Sequence, residues 1–122
     1  MNIVVVGVCA SGKSTLVKAL NEIGFSAYHI TQEHSCIPRL WRKRNPDLVI
    51  FLSASLATIR QRRKIAWGDE TFRTQQIRLG DAKQYADLVI ETDPLSPAEV
   101  LTHVLSFLNK HNRNGGEKFE VE

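Results

Sequence analysis

Short apolar runs alternate with longer amphipathic stretches along most of the chain. Runs rich in β-branched and other apolar residues predict strands, and apolar residues at helical spacing predict helices. The predicted strands cover 3–6, 26–30, 47–52 and 87–91. The predicted helices cover 14–23, a stretch from Ser53 or Ser55 to about Ala66, about 70–85, and 97–109. Since strands alternate with helices, we expect an α/β fold of three layers, with a parallel sheet of about four strands and helices on both faces.

Local signals predict where some of these elements begin and end. Gly24 is placed to end the first helix, and the order Ser96-Pro97-Ala98-Glu99 predicts a capped start for the last one. Residues 38–44 form a short basic segment around Trp41 that could be a further helix.

The length of 122 residues favours a single domain, because two halves would each be too small to bury an adequate core. We expect this domain at 1–109, followed by a flexible, polar tail at 110–122. No run of about 18 apolar residues occurs, so no membrane partner is expected. Residues 1–7 do not resemble a signal peptide and the two cysteines lack metal-ligand spacing, so the cytoplasm is the expected location.

Charge is distributed unevenly along the chain, although the net charge is only +3. Residues 39–78 hold ten Arg or Lys against three acids, whereas the rest of the chain holds six against ten. A basic middle on a mildly acidic frame predicts an anionic ligand, either a nucleotide phosphate or a nucleic acid.

Residues 7–14 match the phosphate-loop pattern G-x-x-x-x-G-K-[ST] in full. The match follows a strand of the buried type and opens an amphipathic helix, so backbone N–H groups and a helix N-terminus would face one anion. Lys13 is expected to reach the terminal phosphates of ATP or ADP, and Ser14 to offer its hydroxyl to Mg²⁺. The residues expected to hold the nucleotide here are Gly7, Val8, Cys9, Ala10, Ser11, Gly12, Lys13, Ser14 and Thr15.

The order of elements resembles that of small P-loop kinases, most closely the adenylate and cytidylate kinases, over roughly residues 1–109. The likeness rests on the phosphate loop, the strand at 46–52, Arg60-x-x-Arg63, the strand at 86–90 and the capped last helix. The resemblance implies a P-loop kinase fold and transfer of a phosphoryl group from ATP. It assigns Arg60 and Arg63 to the phosphates or base, and Arg73 or Arg78 to a lid. It places the base beside the loop at 93–96, including Asp93 and Pro94.

The chain departs from this family between the second and third strands. Members usually have an acceptor-binding segment and a further strand there, ending in an aspartate that orients the metal, but only residues 32–46 are available. The acceptor site is therefore reduced, rebuilt from other parts of the chain, or absent.

Glu33 is the acid best placed to fill this gap. It follows the second predicted strand, and ligands of parallel sheets bind at the carboxyl edge. If that strand pairs beside the first, Glu33 comes near the phosphates, where it could orient the metal or accept a proton from an attacking hydroxyl. His34 could assist it, Asp93 is the competing acid, and Asp47 is expected at the opposite edge of the sheet.

Three functions remain open from the sequence. The first is a minimal phosphotransferase that uses Mg–ATP, Lys13, Glu33, Arg60 and Arg63 to act on a small acceptor. The second is a nucleotide-binding or slowly hydrolysing module that controls a partner. The third is a nucleic-acid-binding protein that uses the basic middle, where Trp41 and its basic neighbours could stack on bases.

Overall fold

The computed structural model describes residues 1–8, 10–63 and 67–115, with side chains as far as residue 110. These residues form four strands and four helices, with two 3₁₀ turns instead of a helix between the second and third strands and two consecutive helices before the fourth strand. In chain order the elements are β1 (Asn2–Gly7), α1 (Lys13–Ile23), β2 (Ser26–His29), the 3₁₀ turns Gln32–His34 and Leu40–Arg42, β3 (Leu48–Ser53), α2 (Leu56–Arg62), α3 (Asp69–Tyr85), β4 (Leu88–Glu91) and α4 (Pro97–Gly115).

All four strands are parallel and form one sheet in the order β2-β1-β3-β4. The predicted α/β class, with a parallel sheet and helices on both faces, is confirmed. β2 pairs directly with β1, with His29 opposite Val5. The chain then crosses over β1 to reach β3, and it makes this crossing without a regular helix.

Each face of the sheet has its own apolar core, which explains why β1 is apolar at consecutive positions. Ile3 and Val5 pack on one face against α1 and α4, while Val4 and Val6 pack on the other. The second face is covered by α2, by α3 and by Trp41 from the connection between β2 and β3. The predicted apolar side of α3 lies in this second core, with Phe72, Leu79, Ala82 and Ala86.

Several predicted ends are confirmed. Gly24 follows α1 with a φ of +122°, a conformation that favours glycine, and its N–H donates to the Leu20 carbonyl. Ser55, one of two predicted caps, accepts the N–H of Thr58 at the start of α2. Ser96 and Glu99 form a reciprocal capping box, in which each side chain accepts the other residue's N–H.

Two predicted helix ends are wrong, and the segment at 38–44 does not form the further helix that its sequence allows. α2 ends at Arg62, because Arg63 is extended with φ −150° and ψ 139°, and residues 64–66 lie outside the described part. Within 38–44, only a 3₁₀ turn forms. α4 continues to Gly115, so residues 110–115 are helical rather than a loose tail, and 116–122 lie outside the described residues.

The short turn within 38–44 has a local cause. The side-chain oxygen of Gln32 accepts the N–H of Trp41, which a longer helix would use internally, and Arg39 has a left-handed φ of +55°. Within the described residues, no helix is long and apolar enough to cross a membrane.

Candidate functional site

The loop at residues 7–14 joins the carboxyl end of β1 to the start of α1. A Cβ atom on Gly7 would collide with the Leu52 carbonyl of β3, so the close approach of these strands requires glycine there. Gly12 has a φ of +103° and Ala10 a φ of +65°, so the backbone turns sharply before α1. The first N–H groups of α1 have no partner within the helix, and such groups attract anions.

Lys13 is buried beneath this loop. Its Nζ atom donates to the carbonyl oxygens of Gly7 at 2.9 Å and Val8 at 3.1 Å. It also lies 2.8 Å from Oε2 of Glu33, and the two side chains are only 8% and 2% exposed. The ammonium group therefore has three oxygen partners, and the attraction within the ion pair offsets part of the cost of burying both charges.

Glu33 reaches Lys13 because of the strand order. Since β2 pairs beside β1, the 3₁₀ turn Gln32–His34 emerges next to the loop that follows β1. The predicted proximity of Glu33 to the 7–14 loop is therefore confirmed. Asp47 lies at the amino edge, as expected, where its Oδ2 accepts the N–H of Asn2.

The two carboxylate oxygens of Glu33 differ in their surroundings. Oε2 accepts from Lys13 and lies 3.7 Å from Nε2 of His34. Oε1 is buried and has no hydrogen-bond partner among the described residues. A buried carboxylate oxygen normally accepts a hydrogen bond, so Oε1 is available to a donor from a ligand. The Glu33 carbonyl accepts from Nη1 of Arg78 at 3.3 Å, which ties this turn to α3.

Arg62, rather than Arg60, reaches the 7–14 loop. Its guanidinium donates to the Ala10 carbonyl at 3.3 Å, and to Oγ1 and the carbonyl oxygen of Thr92 at 3.2 and 2.8 Å. The family resemblance assigned Arg60 and Arg63, and not Arg62, to the phosphates or base. Because α2 ends at Arg62, Arg63 does not follow Arg60 at helical spacing.

A cavity of about 560 Å³ lies over the 7–14 loop, a volume typical of small-ligand sites. It spans the carboxyl edge from β2 to β4. Its lining combines the loop and α1 with residues that follow the other strands: Ala10, Ser11, Gly12, Lys13, Ser14, Thr15, Leu16, His29, Thr31, Glu33, His34, Arg62, Arg63, Thr92, Leu95, Pro97 and Val100.

The cavity brings together most of the predicted site residues. Gly7 and Val8 contribute carbonyl oxygens to Lys13 without lining the cavity, and Cys9 lies outside the described residues. Arg60 does not line it, and its Nη2 instead lies beside Gly68. Arg78, a predicted lid residue, contacts the Glu33 turn and Sγ of Cys36.

Asp93 and Pro94 also lie outside the cavity lining, although Leu95 and Pro97 from the same connection belong to it. Oδ1 of Asp93 accepts the N–H of Ser55 at 2.9 Å. This hydrogen bond holds the pKa of the Asp93 carboxyl below its usual range. The carboxylate therefore fastens the start of α2, and Glu33 is the acid that faces the cavity.

Three of the residues that the sequence analysis missed share one signal. His29, Thr31 and Thr92 lie at or just beyond the carboxyl ends of β2 and β4. The rule that ligands bind at this edge of a parallel sheet could have found them. Arg62 offers no such signal, because its contacts depend on where α2 ends.

The polar lining bears on the predicted magnesium site. Among the described residues, no group of three or more His, Cys, Asp or Glu side chains could hold a metal ion. Mg²⁺ is commonly held by one or two protein oxygens together with substrate phosphates. The hydroxyl of Ser14 lies at the cavity wall, so it could be such a protein oxygen, with nucleotide phosphates supplying the other ligands.

The basic segment at 39–44 does not line the cavity. Arg39 pairs with Asp81 at 2.9 Å, and the Arg42 guanidinium lies 5.2 Å from the Trp41 ring centroid and 5.4 Å from that of Tyr85. These arginines thus pack on aromatic rings along the α3 face of the sheet.

The arrangement can bind a polyanion at helix N–H groups, one lysine and two arginines, and it can accept a hydrogen bond at a buried carboxylate. Comparison of the chain with family models and with curated proteins finds no match. The functional argument therefore rests on the residues of this site.

Proposed function

We propose that this chain binds ATP or ADP together with magnesium, and that it is a minimal phosphotransferase. The observation that carries the proposal is the contact between Lys13 of the G-x-x-x-x-G-K-S loop and buried Glu33, at the wall of a ligand-sized cavity. The likeness of the chain to small P-loop kinases supports the same reaction class.

The charges around the cavity suit a chain of phosphates. The N–H groups at the start of α1 and the ammonium of Lys13 would meet the terminal phosphates. Arg62 and Arg63 add positive charge on the α2 side. Leu95 and Pro97 provide an apolar wall for the base, in the connection that the family resemblance assigns to it.

Ser14 is the residue that would hold a magnesium ion with the phosphate oxygens. The ion would neutralise negative charge on those oxygens. Glu33 could act through its unpaired Oε1, by accepting a hydrogen bond from a water of the ion or from the attacking hydroxyl.

Slow hydrolysis of ATP without a small-molecule acceptor is the second candidate function. The exposure of His29, Thr31 and His34 supports it, because this end of the cavity admits water. In that case the bound nucleotide would serve to control a partner.

Calorimetry with ATP and ADP, with and without magnesium, tests the binding proposal directly. We expect binding that magnesium strengthens, and a loss of roughly tenfold or more in Lys13→Ala, since hydrogen bonds to charged groups contribute about 1.5–3 kcal/mol. Lys18→Ala is the matched control, because Lys18 is an exposed residue of the same helix. Absence of binding of millimolar nucleotide to the folded wild-type chain would refute the proposal.

A second pair of variants tests the acid. Glu33→Gln keeps the shape of the side chain and should leave ATP affinity within a few-fold, while turnover falls by roughly 10²-fold. Asp93→Asn should have little effect on turnover, because the amide oxygen can still accept the N–H of Ser55. The reverse pattern would assign the catalytic role to Asp93.

A further inference from the structure

The cavity has two chemically different ends, as the strand order dictates. At the β4 end lie Arg62, Thr92 and Leu95, next to the connection into α4. At the β2 end lie His29, Thr31, Glu33 and His34. The 7–14 loop follows β1, between these ends, so a phosphate held there can be reached from the β2 end.

We propose that the β2 end binds the phosphoryl acceptor, and that this acceptor is an uncharged hydroxyl compound rather than a phosphate ester. The inference rests on the proposed phosphotransferase function. It names the substrate class from the charge and hydrogen-bonding state of Glu33.

The carboxylate of Glu33 sets what this end can bind. Oε2 is occupied by Lys13, whereas Oε1 is buried without a hydrogen-bond partner among the described residues. A hydroxyl group can donate to Oε1 and satisfy it. A phosphate group carries only negative charge and acceptor oxygens near neutral pH, so it would be repelled by the carboxylate.

The cationic groups of the cavity favour the same conclusion. Of the described lining residues, the cations are Lys13, Arg62 and Arg63, and Lys13 is already paired with Glu33. Arg39 and Arg78, from the basic middle, contact Asp81 and the Glu33 carbonyl instead of lining this cavity. The β2 end therefore combines a carboxylate with the hydrogen-bonding groups of threonine and histidine side chains. Among the described lining residues, it holds no lysine or arginine besides Lys13 that is shown to contact this carboxylate.

Phosphoryl transfer from ATP to the acceptor hydroxyl needs no reactant besides these two compounds. The acceptor hydroxyl donates a hydrogen bond to Oε1, and its oxygen attacks the γ-phosphorus of ATP. A new oxygen–phosphorus bond forms, and the bond from the γ-phosphorus to the β–γ bridging oxygen breaks. ADP leaves with that electron pair, and the hydroxyl proton passes to solvent by way of Oε1. The products are a phosphate monoester, ADP and a proton.

Matched compound pairs test the proposal on the wild-type chain. Glycerol is compared with glycerol 3-phosphate, ribose with ribose 5-phosphate, and uridine with uridine monophosphate. Transfer of label from γ-labelled ATP to each compound is measured. All six compounds keep at least one free hydroxyl group, so the members of a pair differ in charge and in the one hydroxyl group that is esterified. We expect label to reach a neutral member at least about tenfold faster than its phosphorylated partner, because only the partner meets the carboxylate's repulsion.

The Glu33→Gln variant gives a readout that a purely structural role would not change. The ratio of dissociation constants for glycerol 3-phosphate and glycerol, measured in the presence of Mg–ADP, should fall at least about tenfold when the charge is removed. Glu22→Gln is the control, because Glu22 is an exposed residue of α1 and should leave the ratio unchanged. If Glu33→Gln does not fold, the wild-type pairs still decide the question.

The outcomes separate this proposal from the one on which it rests. Failure of the wild-type chain to bind nucleotide refutes both. If the chain binds Mg–ATP but prefers the phosphorylated members, or transfers label to none of the six compounds, the acceptor proposal is overturned while nucleotide binding stands.

Discussion

Arg62 links two loops that the strand order brings together at the cavity rim. Its Nη1 atom donates to the Ala10 carbonyl and to Oγ1 of Thr92, and its Nη2 atom donates to the carbonyl oxygen of Thr92, just beyond β4. Ala10 has a left-handed φ, so this contact helps to hold a strained part of the loop in place. Arg62 therefore fixes the shape of the proposed phosphate site as well as its charge.

Arg62→Ala should weaken nucleotide binding by about tenfold or more, because a charged donor to two loops is lost. Arg60→Ala is the matched control and should change the dissociation constant by no more than about twofold, since Arg60 does not line the cavity. Calorimetric titration of both variants checks this difference. Equal losses would instead point to general electrostatic attraction by the basic middle.

At this scale the sequence predicts the positions of Lys13 and Glu33 better than those of the arginines, but it does not predict the ion pair between them. The positions of Lys13 and Glu33 depend on a loop motif and on a strand end, both of which are visible in the pattern of residues. Which of Arg60 and Arg62 lines the cavity depends on where α2 ends. That end carries no capping signal in the sequence, because Arg63 leaves the helix without glycine or proline.

At the scale of elements, the strands were predictable because β1 and β3 are apolar at consecutive positions, as a strand buried on both faces requires. The connection from β2 to β3 was less predictable. Its path depends on the buried amide of Gln32, which donates to the Ile37 carbonyl and accepts from Trp41. These hydrogen bonds join residues five and nine positions apart, and neither apolar periodicity nor turn residues encode them.

The helix caps make folding stability depend on pH. Hydrogen bonds from the N–H groups of Ser55 and Ser96 lower the pKa values of Asp93 and Glu99 below their ordinary values of 3.8 and 4.5. The folded state thus favours the ionised carboxyls. Their stabilising contribution is complete above the ordinary pKa values and is lost as the pH falls through the lowered ones.

We therefore expect the free energy of unfolding, measured in urea, to decrease between about pH 5 and about pH 3. The double variant Asp93→Asn, Glu99→Gln should show a smaller decrease, whereas Glu22→Gln should match the wild type. If the double variant lost as much stability on acidification as the wild type, these caps would not be the source of the pH dependence.

At the scale of the whole molecule, the two edges of the sheet carry different chemistry. The carboxyl edge gathers the 7–14 loop, Glu33 and the ends of β2 and β4 around one cavity. The basic segment at 39–44 runs toward the amino edge, and its Arg44 guanidinium lies 4.0 Å from the Tyr28 ring centroid. The described basic residues between 39 and 78 are therefore divided in space among this segment, the end of α2 beside the cavity, and α3.

This division predicts that the segment at 39–44 contributes little to nucleotide binding. None of the described residues of this segment lines the cavity. Arg42 and Lys43 are exposed, and exposed charges in about 0.15 M salt are screened over about 8 Å. The double variant Arg42→Gln, Lys43→Gln should therefore leave the calorimetric dissociation constant for Mg–ATP within about twofold of the wild-type value. Binding of a single-stranded oligonucleotide, measured over a series of salt concentrations, tests whether this segment holds nucleic acid instead. If this segment holds nucleic acid, the same variant should weaken that binding and reduce its salt dependence. A loss of Mg–ATP affinity as large as that expected for Arg62→Ala would show that the two edges act as one site.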